Sequence, residues 1–107
     1  MLQNNWIMCI EKDTYETIKN GQHKDPTVRI YIGNKLNHRS DREYCNDLAH
    51  HGREILEMLE FSSYQVCEPQ LPSWINKGIM DHYNISFAVF EVKTQDVLEH
   101  INEFQEL

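Results

Sequence analysis

This 107-residue chain has no long apolar run, little glycine and few positive charges. The longest apolar run, Ile85 to Phe90, is short and broken by Ser86, far below the roughly 18 to 20 residues that a bilayer-crossing helix needs. The segment Met1-Leu2-Gln3-Asn4-Asn5 lacks the basic cluster and small-residue cleavage site of a secretion signal, so a cytoplasmic protein without membrane association is expected. Four glycines leave little scope for a phosphate-cradling loop. No G-x-G-x-x-G or G-x-S-x-G occurs, and Gly33-Asn34-Lys35 reads as a turn. The three cysteines, Cys9, Cys45 and Cys67, are odd in number and follow no metal-ligand or redox spacing. Each falls in a segment that reads as regular structure, so buried reduced thiols are expected rather than a nucleophile.

Positive charge is scarce and unevenly placed. Lys and Arg number 10 against 17 Asp and Glu, a formal net charge of −7. Residues 1–39 hold six cations and four anions, whereas residues 40–107 hold four and thirteen, so the larger part carries −9. Such a field repels nucleic acid and anionic membranes and attracts basic proteins. The cations Lys19, Lys24, Arg29, Lys35 and Arg39, with Tyr31 nearby, lie in the first third. They lack the paired strand aromatics of an RNA-binding sheet, and no direct nucleic-acid contact is expected.

What is present is an ordinary globular composition, 40% hydrophobic and 25% charged, at a length that suits a single domain over 1–107. Trp6 to Ile10 reads as a strand covered on both faces. Asp13 and Glu16 have the spacing of a reciprocal cap, opening a two-turn helix that Asn20-Gly21 stops. In Val28 to Ile32 the apolar residues Val28, Ile30 and Ile32 alternate towards one side of a second strand. Ser40-Asp41-Arg42-Glu43 matches the S-x-x-E capping box of a long helix over 41–61, with Cys45, Leu48, Gly52, Ile55 and Leu59 on its apolar stripe. Gly52 at mid-helix marks a close approach to a strand or a neighbouring helix.

Tyr64 to Cys67 reads as a third strand. Pro69 and Pro72 exclude regular structure around them, and Ser73 to Gly78 reads as a capped helical turn. Ile85 to Val92, aromatic and β-branched, reads as a strand central in the sheet. Thr94 caps a last helix with Val97, Leu98, Ile101 and Phe104 on one stripe. The expected fold is α+β: a four-stranded, mainly antiparallel sheet with two main helices on one face, a ferredoxin-like type of sandwich, plus a short N-terminal helix.

Among chemical constellations, Asp47-x-x-His50-His51-x-x-Glu54 places four donors on one side of the long helix. It matches no specific metal motif, and a solvated polar face is the simpler reading, so no metal and no cofactor are expected. His23, His38, His82 and His100 stand alone. No serine or cysteine is paired in sequence with a base and an orienting carboxylate, so no catalytic residue is expected.

Surface recognition remains. The expectation is a non-enzymatic, acidic protein-binding inhibitor, neutralising a basic partner such as a toxin nuclease or defence nuclease in the manner of an immunity or anti-defence protein. The candidate contacts are Glu43, Asp47, Glu54, Glu57, Glu60, Trp74, Asp81 and Tyr83. The alternative is a small-ligand or metal-binding regulatory domain, with a homodimer formed through a sheet edge as one form of it.

Overall fold

The computed structural model describes residues 5–34, 42–67 and 87–106, with the backbone alone for 42–46. Five strands form one sheet: β1 (Trp6–Ile10), β2 (Thr27–Asn34), β3 (Tyr64–Val66), β4 (Phe87–Lys93) and β5 (Phe104–Glu106). Among the described residues, three α-helices, α1 (Lys12–Lys19), α2 (Arg42–Met58) and α3 (Thr94–Glu99), lie between them, and a 3-10 turn over Ile101–Glu103 joins α3 to β5. The strand order is β3-β4-β2-β1-β5. All neighbours run antiparallel except β1 and β5, which are parallel with Met8 opposite Phe104.

This mixed α+β architecture differs from the expected sandwich in three ways. Among the described residues the sheet has five strands rather than four, because the chain after α3 does not continue as a helix. The helical stripe through Leu98, Ile101 and Phe104 does not form: α3 stops at Glu99, Leu98 is 39% exposed, and Phe104 is buried as the first residue of β5. Phe104-Gln105-Glu106 instead pairs with β1 as an edge strand, with Phe104 buried and Gln105 and Glu106 exposed. The topology is also not ferredoxin-like, since α1 links adjacent antiparallel strands, whereas β2-α2-β3 joins parallel strands with β4 inserted between them.

The helices pack on one face of the sheet. Met8, Ile10, Ile30, Ile32, Phe90 and Val92 point to that side and meet Ile18 of α1, Leu48 and Leu56 of α2 and Val97 of α3 in one buried cluster. Val28, Ile30 and Ile32 share this face, as their alternation requires. The opposite face carries a second cluster of Ile7, Cys9, Tyr31 and Val89, with Phe87 and Cys67 packed against it. Tyr31 therefore contributes to structure rather than to a stacking platform. It sits between Cys9 and Val89 across the strands, and its hydroxyl donates to Glu11 Oε1 at 3.3 Å.

Helix ends follow local chemistry, with two departures from the expected caps. α1 begins after Glu11 rather than at Asp13, which falls in the first turn and there meets the positive end of the helix dipole. Thr94 does not cap α3. It is the first helical residue, and its hydroxyl donates to the Asp25 carbonyl at 2.7 Å while its N–H donates to the Pro26 carbonyl at 2.9 Å. That pair of bonds ties the start of α3 to the loop after α1. Gly21, at φ 72°, ends α1 in a Schellman motif with bonds from Gln22 N to Thr17 O and Gly21 N to Ile18 O. Ser40, Asp41 and the Ser73–Gly78 turn lie outside the described residues.

Candidate functional site

α2 sets the site through its two faces. Leu48, Gly52, Ile55, Leu56 and Leu59 are buried against the sheet. Gly52 is the point of closest approach, since a Cβ there would lie 2.5 Å from Phe90 Cε2 and 2.7 Å from Cζ. The glycine lets the helix settle on β4, which holds the opposite side of α2 outward at a fixed angle. On that outward side Asp47, Glu54 and Glu57 are exposed, and Glu60 follows in the turn.

The local partners of these carboxylates come from nearby in sequence. Glu54 faces two imidazoles, with His50 Nε2 at 3.5 Å from Oε1 and His51 Nδ1 at 3.7 Å from Oε2. All three side chains are mostly exposed, so these contacts contribute little to stability. Glu57 Oε1 accepts the Tyr64 phenol. That hydrogen bond, ahead of burial and the Glu57 charge, pushes the Tyr64 hydroxyl above the usual phenol range, while Arg53 pulls the other way. Among the described residues no Lys or Arg of the first third forms an ion pair with Asp47, Glu54, Glu57 or Glu60.

Of the other sequence-derived candidates, Glu43 lies in the first turn of α2, with its side chain outside the described set, and Trp74, Asp81 and Tyr83 lie outside the described residues. The structure brings His50, His51 and Glu54 together. Among the described residues no group of three or more His, Cys, Asp or Glu is arranged to hold a metal ion. Cys9 is buried and Cys67 is half-buried. They occupy one cross-strand row with Tyr31 and Val89 between them, Cys67 N donating to the Val89 carbonyl at 2.9 Å. With strands about 4.8 Å apart, three spacings put the pair beyond disulfide reach. Burial pushes the Cys67 thiol up, Arg29 lowers it and Glu91 raises it, for a net rise that disfavours the thiolate.

Sequence reading missed one feature. Trp6 of β1 reaches the outward side of α2, its ring centroid 5.6 Å from that of His51, and an open groove is lined by Trp6, His51, Glu54, Ile55 and Met58. Met58 is 56% exposed. Its signal was present in the sequence, because Met58 lies four residues after Glu54 and shares the polar stripe of the helix rather than the apolar one. Trp6 had no such signal, being more than forty positions from the helix residues it joins.

No family model, curated protein or solved structure matches this chain. Among the described residues no helix is long and apolar enough to cross a membrane.

Proposed function

We propose that this chain is a non-catalytic protein-binding domain that docks a basic protein on the outward face of α2 and thereby inhibits it. The observation that carries this reading is the set Asp47, Glu54 and Glu57, exposed along one side of a helix whose other side is locked to the sheet, with exposed Glu60 in the turn that follows. Carboxylates fixed on a rigid element present a field that does not reorganise on docking, which favours fast association with a cationic surface. A partner that handles nucleic acid has such a surface. Covering it would neutralise a toxin or defence nuclease without any chemistry by the inhibitor. Buried Cys9 and the raised Cys67 thiol add support for a role that needs no nucleophile. Reduced thiols also suit a cytoplasmic setting.

The test is a titration of the basic protein captured by this chain from its native host. Wild type and the Glu54→Lys/Glu57→Lys double variant are compared at several salt concentrations. Both positions are exposed, and a thermal melt of the variant checks that loss of the Tyr64–Glu57 hydrogen bond leaves the fold in place. Charge reversal is expected to weaken binding by at least about tenfold and to flatten its salt dependence. An unchanged Kd with an unchanged salt slope overturns the proposal.

A further inference from the structure

The groove beside the acidic stripe has a composition that selects one kind of side chain. Its floor is apolar, from Ile55 and the exposed Met58, one wall is the Trp6 indole, and Glu54 supplies a carboxylate at the rim. Among the described residues, the ionic neighbours of that carboxylate are the imidazoles of His50 and His51, on exposed side chains at 3.5 and 3.7 Å. Asp47, two turns before Glu54 on the same side of α2, adds a second negative charge.

We infer that this groove receives a single arginine or lysine side chain projecting from the protein partner. The inference rests on the acidic docking reading and adds to it the place where the interface is anchored. A purely apolar anchor would strip water from Glu54 and add no donor or counter-charge beyond the two imidazoles already beside it, which is unfavourable. An anionic group would meet Glu54 and Asp47 with like charge. A long cationic side chain satisfies each wall: its methylene stem lies along Met58 and Ile55, its head reaches the Glu54 carboxylate, and its charge meets the electron-rich face of an indole. Arginine fits best, since its planar fork can bond both carboxylate oxygens in place of the two imidazoles. Arginine and tryptophan are also the residues that most often dominate interface energetics.

The experiment uses the full chain, labelled for NMR at backbone amides, tryptophan indoles and methionine methyls. The probe is a capped nine-residue peptide of leucine and serine with one central arginine. Controls are the same peptide with uncharged, isosteric citrulline at the centre, and hexa-arginine. The arginine peptide is expected to move the Met58 methyl and Trp6 indole signals in a saturable way. Binding is expected to weaken about tenfold with citrulline, and by a similar factor in Glu54→Gln and in Met58→Ser, both at exposed positions. Equal binding of the citrulline peptide overturns the cationic reading of the groove. If the arginine peptide and hexa-arginine shift only the amides of Asp47, Glu57 and Glu60, the groove inference falls and the acidic docking surface stands. If none of the probes perturbs α2, the groove inference and the docking surface fall together.

Discussion

Tyr31 and Glu60 show how single residues carry costs that their neighbours decide. Burial, then the Glu11 charge and the Glu11 hydrogen bond, push the Tyr31 phenol far above its ordinary value of 10.0. A raised folded pKa means that the neutral form is favoured in the native state. The resulting stability is fully present below about pH 10 and is lost as pH rises through the folded value. Denaturant titrations above that pH should therefore show falling stability in the wild type and a flatter alkaline limb in Tyr31→Phe. At neutral pH the same change should cost no more than about 0.5–1.5 kcal/mol, the net worth of one hydrogen bond. An identical alkaline limb in both proteins would refute this assignment. Glu60 has φ 63°, the left-handed region, and closes α2 with bonds from Glu60 N to Glu57 O and from Phe61 N to Leu56 O. That is the same Schellman stop that Gly21 provides for α1, but made by a residue with a Cβ. Glu60→Gly should raise stability by about 0.5–1 kcal/mol in chemical denaturation, the relief of left-handed strain exceeding the entropy that glycine adds to the unfolded chain. A loss of stability would show that the Glu60 side chain contributes more than its backbone strain costs.

At the scale of elements, two contacts set how the helices sit. Gly52 lies against the fully buried ring of Phe90, so Gly52→Ala tests the seating of α2 on β4. Alanine gains about 1 kcal/mol of helix propensity, yet overpacking a filled core costs about 1–3 kcal/mol. The expected result is a net destabilisation of up to about 2 kcal/mol in equilibrium unfolding, partly relieved by Phe90→Leu in the double variant. A more stable Gly52→Ala protein would show that the helix can shift without strain. Asp96 of α3 is 6% exposed, and its carboxylate accepts from Ser62 N at 3.0 Å and Ser62 Oγ at 2.7 Å. It thereby fastens the segment between α2 and β3 to α3, where His100 also packs on Phe61 with ring centroids 5.0 Å apart. Asp96→Ala should cost about 1.5–3 kcal/mol, the range for hydrogen bonds to a charged group, and Asp96→Asn less. Hydrogen exchange of the Ser62 amide would report the release, and unaltered protection would count against the tie.

For the whole molecule, legibility followed the range of the interactions. The extents of β1, α1 and most of α2 are written in hydrophobic period and stop signals, and the approach marked by Gly52 proved to be an approach to Phe90 and Ile32. Local chemistry failed where a distant partner competed for the same group. Thr94 has the right character for a cap, but its hydroxyl is taken by the Asp25 carbonyl, 69 positions away in sequence. Phe104 fits a helical stripe on paper, yet pairing beside Met8 at the sheet edge satisfies its backbone and buries its ring. The acidic character of the 41–61 segment was likewise visible from residue types alone, and the exposure of Asp47, Glu54, Glu57 and Glu60 follows from the stripe on the other side of the helix. The sequence by itself determined the charge balance, the scarcity of catalytic motifs and the faces of individual elements, because these depend on neighbours within a turn or two. Only the tertiary structure decided the fifth strand, the order β3-β4-β2-β1-β5 and the meeting of Trp6 with His51, Glu54 and Met58. Those depend on which segments pair across long loops, and the entropy of closing such loops carries no signature in any one of the segments it joins.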